Sequence, residues 1–292
     1  MFSISQTSRG YFCLEWSSTE DGPKIRHLNH INILNGFTDK NIFSDIINHF
    51  SYNLKSQSNS LSVIINSDNV LISLLKINFN KNNDKIIKWY ENKVMGNSFC
   101  NNYYNYYFPM DSDNNCLLIS IPKKMQDNIV DSSNKLGFNL IYLSVDIFSA
   151  ATLARQLYKN ETRHEYLIWK INNNRNHMLV YYNEDRIKLF TKIKIQSNKI
   201  VADLTLGSID DAEKVKNIIF NILINNTIDE SIENIFLYQT KANTTIIKKI
   251  VDKNFANIKL LDFSGMIASN NYDKYKYISY VENGICFKGL DI

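Results

Sequence analysis

Nine glycines and three prolines are few for a chain of 292 residues. The glycines do not cluster, so no Gly-rich phosphate loop exists, and neither a Walker motif nor Gly-x-Ser-x-Gly occurs. The four cysteines, Cys13, Cys100, Cys116 and Cys286, form no CxxC pair. A zinc site needs closely spaced ligands, and so few thiols do not make a disulfide framework. Cys13, Cys116 and Cys286 lie in apolar stretches and read as small hydrophobes. No uninterrupted apolar run reaches the roughly 18 residues of a membrane-spanning helix. The opening MFSISQTSRGYFCLEW lacks the basic start and apolar core of a signal peptide. A charge excess is missing as well: 33 basic and 29 acidic residues leave a net +4, and the basic residues are scattered. That argues against a nucleic-acid partner.

What is present is ordinary for a folded chain: 44% apolar, 12% aromatic and 21% charged residues. Asparagine is abundant, but runs such as Asn101-Asn102 and Asn172-Asn173-Asn174 are short and interrupted by core-like segments. They read as codon bias rather than a prion-like tract. Of the histidines, His27 and His30 are three apart on an expected strand and would face opposite sides, which rules out shared ligation. All five (with His49, His164 and His177) read as solvated or turn residues. The acidic pairs Asp210-Asp211 and Asp229-Glu230 sit at a helix start and a loop, where dipole complementarity accounts for them.

Hydrophobic periodicity sets out two similar halves. Residues 2–6, 10–16 and 24–33 read as three strands, broken at Gly10 and at Asp21-Gly22-Pro23. Thr38 or Asp39 caps a helix whose Ile42, Phe43, Ile46, Ile47 and Phe50 form one apolar face, and Leu61–Ile65 is a buried strand. Residues 69–136 read as an inserted α+β unit. It has a strand from Val70 to Ile77, a helix from Asp84 to Val94 with Ile86, Ile87, Tyr90 and Val94 inward, strands Tyr103–Phe108 and Cys116–Ile121, and a helix Lys123–Leu136 closed by Gly137. Phe138–Val145 is then a strand and Asp146–Tyr158 a helix rich in alanine. The polar stretch 159–164 marks the boundary. The second half repeats the order with strands at 166–171, 178–182 and 186–195, a helix from Ile209 to about Asn225, a strand at 234–238, a helix at 243–252 and a strand at 258–263.

This order, with the segment CLLISIPKKMQDNIVDSSNKLGFNLIYLSVDIFSAATLARQLY (116–158), resembles the PilM and FtsA branch of the actin-like ATPase superfamily. The matching features are Lys123, Gly137-Phe138, Asp146 and Ala150-Ala151, and the closing Gly284-Ile285-Cys286-Phe287-Lys288-Gly289 is similar to that family's final helix. The resemblance implies a two-lobed actin-like (ribonuclease H-like) α/β fold, each lobe βββαβ(α)β. Its expected units are lobe one at 1–164 with the insert at about 69–136, lobe two at 165–272, and a segment 273–292 returning to lobe one.

The family's nucleotide motifs do not carry over. Nucleotide-binding members have Asp-x-Gly after the first strand, because the carboxylate holds Mg²⁺ and glycine admits phosphate. Here Ser3-Ile4-Ser5-Gln6-Thr7 stands at that place, Lys170-Ile171-Asn172 at its repeat in lobe two, and Leu237-Tyr238-Gln239-Thr240 where the adenosine motif belongs. Ser3, Ser5, Lys170, Asn172, Gln239 and Thr240 are therefore expected to be degenerate cleft positions, with no catalytic residue, metal or cofactor. Lysine at 170 would repel Mg²⁺ but could meet a phosphate directly.

The run Tyr103-Tyr104-Asn105-Tyr106-Tyr107-Phe108 reads either as an aromatic core strand or as an interface. The resemblance places Tyr103, Tyr104, Tyr106 and Tyr107 in the subdomain that helps form a peptide groove in PilM-like proteins. It implies a non-enzymatic cytoplasmic scaffold of a type IV pilus or type II secretion-like assembly. Such a scaffold binds the tail of an inner-membrane partner, sits at the membrane through that partner, and is compatible with oligomerisation. The alternatives are an active ATPase or kinase of this fold, using Mg-ATP through divergent motifs, and a protein of this fold with an unrelated binding role.

Overall fold

The structure, a computed structural model, describes residues 1–7, 10–20, 22–33, 36–51, 59–76, 83–111, 115–196, 199–225, 227, 232–240, 245–253, 255–262, 266 and 280–289. The acidic pair Asp229-Glu230 lies outside them. The chain begins with an antiparallel meander of β1 (Phe2–Thr7), β2 (Gly10–Thr19) and β3 (Gly22–Ile31). Helix α1 (Lys40–Ser51) is capped by Asp39, whose Oδ1 accepts the Asn41 N–H at 3.2 Å. Its five periodic residues, Ile42, Phe43, Ile46, Ile47 and Phe50, are all buried. Strand β4 (Ser60–Ile65) then pairs parallel with β1.

The insert contains β5 (Leu71–Lys76), α2 (Asn83–Tyr90), a π-helical turn Glu91–Met95, the short helix α3 (Asn97–Asn102), β6 (Tyr103–Pro109), β7 (Asn115–Pro122) and α4 (Lys123–Lys135). Its three strands form an antiparallel sheet in the order β5-β7-β6. One face, with Leu75, Cys116 and Leu118, is covered by Ile86, Tyr90 and Met95. The other face, with Leu117, Ile119 and Ile121, joins the main core beside Met125 and Ile129 of α4. The helix expected over 84–94 thus differs in its last turn. The wider π turn slips the helical phase, so that Met95 packs inward and Val94 is exposed. Gly137 follows α4 at φ +75°, with the Phe138 N–H reaching back to the Ser133 carbonyl at 2.9 Å.

Strand β8 (Asn139–Val145) completes a five-stranded sheet ordered β3-β2-β1-β4-β8, and α5 (Asp146–Leu157) runs from its end. Residues 158–164 turn the chain into the second sheet. That sheet comprises β9 (Glu165–Ile171), β10 (Asn176–Asn183), β11 (Arg186–Gln196) and β12 (Lys199–Gly207). After α6 (Ile209–Phe220) and a π turn Asn221–Asn225 come β13 (Asn234–Gln239), α7 (Thr245–Val251) and β14 (Ile258–Leu260). The order is β12-β11-β10-β9-β13-β14. Removing β12 leaves β11-β10-β9-β13-β14, the same winding as β3-β2-β1-β4-β8, so the two lobes repeat one topology. Strand β12 and the short helix α3 are elements that the sequence pattern did not announce. The strand lies at the sheet edge, and Val201 and Ala202 are exposed along it.

The last element described is a 3₁₀ helix, Val281–Gly289, packed on α5 and on β1, β4 and β8. The Ile285 N–H donates to Ser149 Oγ at 2.8 Å, and the Asn283 side-chain amide donates to Ser5 Oγ at 3.0 Å. The contact is tight at Gly284, where a Cβ would fall 2.6 Å from both Leu153 Cβ and the Ser149 carbonyl oxygen. We therefore expect Gly284→Ala to cost about 1–3 kcal/mol, in the range of core overpacking. A thermal melt checks this; an unchanged midpoint would mean that the segment does not pack so closely.

Candidate functional site

Strand β9 delivers Lys170 into the junction between the lobes. Its ammonium contacts Asp146, the first residue of α5, and lies 2.9 Å from Glu282 Oε1 in an ion contact without aligned hydrogen-bond geometry. The lysine is 1% exposed, and both carboxylates are buried. Asp146 is further fixed by the Ser67 N–H (2.9 Å) and hydroxyl (3.1 Å) and by the Ile147 N–H at 2.6 Å. One cation thus joins the second lobe to α5 and to the terminal 3₁₀ helix. Burial works against its charge, but Asp146 and Glu282 outweigh burial and hold Lys170 above its ordinary pKa. Burial, then the Asp146 charge, raise Glu282 to about 7 against the pull of Lys170. The Tyr238 hydroxyl beside it is kept protonated, first by burial and then by the two carboxylates.

Above this triad lies a polar cavity of about 310 Å³, lined among others by Thr7, Asn66, Asp68, Asn172, Thr240 and Glu282. Among the described residues, each carboxylate at this cleft faces a lysine. Asp68 lies 3.0 Å from Lys192, Asp203 lies 2.6 Å from Lys194, and Asp146 and Glu282 face Lys170. The structure thus brings Lys170, Asn172 and Thr240 to one place, and Thr240 Oγ lies 3.4 Å from the Asn172 carbonyl oxygen. Gln239 is buried at the end of β13. Ser3 and Ser5 lie elsewhere: Ser3 Oγ accepts the Trp16 indole N–H at 3.0 Å, and Ser5 is covered by Asn283. The ammonium of Lys170, enclosed by carboxylates, presents no open side to a phosphate. His177, expected to be solvated, is buried. Its Nδ1 accepts the Trp169 indole N–H at 3.0 Å, and desolvation lowers its pKa to about 4. Asp146 stood in the sequence as a helix start and a feature of the family resemblance, with no cleft role assigned, and Glu282 carried no motif at all. No cluster of metal-ligating side chains is present among the described residues.

A second, larger cavity of about 810 Å³ lies between the insert, α5 and the β10–β11 turn. Ile119 and Ile121 of β7, Phe108 of β6, Leu143 of β8 and Phe148 of α5 give it apolar walls. Among the described residues, Arg155, Arg186 and Lys288 supply positive charge against Asp185 alone. Arg155 is anchored by the Tyr166 hydroxyl at 2.9 Å and sits over the Tyr182 ring at 5.4 Å. The tyrosine run divides by strand alternation. Tyr106 lines this groove, with its hydroxyl bonded to Gln126, and Tyr104 shares its face, donating to Asp127 at 3.0 Å. Tyr103 and Tyr107 point the other way: Tyr107 donates to Glu91 at 2.7 Å and Tyr103 stacks on Phe99. Phe108, which the sequence reading left out of the candidate set, lines the groove.

Two consequences for stability follow from the triad. Lys170→Met leaves two buried carboxylates without their cation and should cost about 3–5 kcal/mol, measurable by denaturant unfolding. Because Glu282 titrates near 7 folded and at its ordinary 4.5 unfolded, the folded state binds the extra proton between those values. That stabilisation is complete below 4.5 and is lost as pH rises through 7. The unfolding midpoint of Glu282→Gln should therefore fall less than that of the wild type between pH 5 and 8; parallel profiles would contradict this assignment.

No protein-family profile matches the sequence, and no curated protein sequence matches it. Solved structures do match. A chain of the PilM–PilN type IV pilus biogenesis complex is similar at 11% identity with a TM-score of 0.64, covering 100% of this chain and 98% of that one. A Bacteroides thetaiotaomicron protein of actin-like ATPase fold and unknown function is similar at 10% identity and TM-score 0.46, covering 94% and 93%. The cytoplasmic domain of EpsL, an inner-membrane component of the Vibrio cholerae type II secretion system, is similar at 7% identity and TM-score 0.43, covering 86% and 93%. With the repeated sheet winding, the first of these likenesses gives the chain a two-lobed, actin-like α/β fold.

Proposed function

We propose that the chain is a non-enzymatic cytoplasmic docking subunit of a type IV pilus or type II secretion-like machine, holding the tail of an inner-membrane partner in the larger groove. The observation that carries this is the groove's construction. Apolar side chains from four elements form its walls, consecutive residues Leu143, Ser144 and Val145 of β8 border it, and β8 is the last strand of its sheet. A strand edge beside apolar pockets suits an extended peptide, which gains main-chain hydrogen bonds from the edge and specificity from the pockets. Arg155, Arg186 and Lys288 favour a tail with an acidic residue among apolar ones. The full-length likeness to a chain of the PilM–PilN complex supports the same reading.

Absence of catalysis is supported by the state of the cleft. A nucleotide with Mg²⁺ needs a carboxylate free to meet the metal through water. Here the carboxylates at the cleft are committed to lysines among the described residues. The polar cavity, at about 310 Å³, lies at the small end of ligand pockets. No helix among the described residues is long and apolar enough to cross a membrane; a captured tail would tie the chain to the inner membrane.

The test is fluorescence anisotropy with synthetic cytoplasmic tails of the inner-membrane proteins encoded beside this chain. One tail should bind, and Phe108→Asp or Arg186→Glu should each weaken it about tenfold or more, as loss of a central interface residue does. Both side chains are exposed, so the fold should survive. Binding indifferent to both substitutions, or no binding by any tail, would refute the assignment.

A further inference from the structure

The outer face of α2 has no part in the groove. This helix and its π turn cover the far side of the insert's sheet, with Ile86, Tyr90 and Met95 packed on Leu75 and Leu118. Five side chains face outward: Lys85, Lys88 and Lys93 are exposed, Trp89 is 59% exposed and Val94 55%. The other two tryptophans, Trp16 and Trp169, are 2% and 0% exposed. Lys85 and Trp89 are four residues apart and share one stripe of the helix. Among the described residues no carboxylate pairs with the three lysines. Glu91 is turned inward, accepting from Tyr107 at 2.7 Å and from Asn105 at 3.2 Å. The displaced phase of the π turn puts Val94 outside, so the outer face gains an apolar residue at its end.

We propose that this face is a shallow membrane-binding surface, with Trp89 and Val94 entering the headgroup region of an anionic bilayer while Lys85, Lys88 and Lys93 meet its negative charge. An indole is at home at that depth because its ring is apolar and its N–H polar. Lysine stems lie along apolar material while their ammonium groups stay in water, and juxtamembrane lysines are attracted by anionic lipid. The face is about two and a half helical turns long. That is small for a stable protein interface, which covers about 800 Å² per partner, but adequate for reversible lipid contact. Bound alone it would hold the protein weakly. With a membrane partner's tail also captured, the two contacts would reinforce each other through effective concentration.

The experiment uses the whole chain and vesicles of phosphatidylcholine alone or mixed with phosphatidylglycerol, with no protein partner present, so its result is separate from the fate of the groove. Since Trp16 and Trp169 are buried, a change in tryptophan emission reports Trp89. We expect a blue shift and co-sedimentation with the anionic vesicles, neither with the neutral ones, and weakening by added salt. Trp89→Ala should abolish the shift, and each of Lys85→Gln, Lys88→Gln and Lys93→Gln should reduce vesicle affinity roughly fivefold. An unchanged unfolding midpoint confirms that these surface variants remain folded. No shift with anionic vesicles would overturn the proposal, as would a shift produced only by polyglutamate, which would point to an acidic protein instead.

Discussion

A single buried cation governs how this molecule is put together. Removing a lysine from water is costly unless its charge is met by well-placed acceptors, so Lys170 is stable only where Asp146 and Glu282 meet. Those residues come from β9, from the start of α5 and from the terminal 3₁₀ helix, three segments distant in sequence. Ion pairs of this kind contribute little net stability against a hydrophobic alternative, but they penalise any arrangement that separates the partners. The triad therefore acts as a specification: it holds the lobes in one relation and keeps the terminal segment across β1. Ser5 and Gly284 fit around that segment, one bonded to Asn283 and the other leaving room for Leu153.

From that arrangement the two cavities acquire their different characters. The cleft above Lys170 is polar and laced with lysine–carboxylate pairs. On the other side of α5, the insert and the β10–β11 turn leave a wider opening with apolar walls. The insert reaches lobe two there: Met110 bridges Ile187, and the Asp111 N–H donates to the Ile187 carbonyl at 2.9 Å. A buried salt link and the insert thus join the two lobes at separate places.

Much of the fold was legible because it rests on local patterns. The Ile42–Phe50 face, the Gly10 break and the Gly137 cap each fix an element by periodicity or backbone chemistry, and all appear where expected. Strand β12 escaped because Val201 and Ala202 face solvent and a register shift at Lys192/Ile193 disturbs its alternation. The π turns escaped because nothing in Glu91–Met95 marks a change of helical pitch. At the cleft, the departure of Lys170 and Asn172 from an Asp-x-Gly pattern was visible, whereas the partners of Lys170 were not. A pairing between β9 and a segment near the C-terminus leaves no trace in spacing. His177 was misjudged for a similar reason: its partner Trp169 lies across a hairpin, and only the folded register brings the two rings together. In the aromatic run, alternation announced that some side chains would leave the core, but which face met the groove depended on how β7 was placed.

The claim on which the account turns is that lysine–carboxylate pairs have taken the place of a metal-nucleotide site. Isothermal titration of the wild-type chain with Mg-ATP tests it directly. No binding heat is expected up to millimolar nucleotide; saturable binding in the micromolar range would contradict such a replacement.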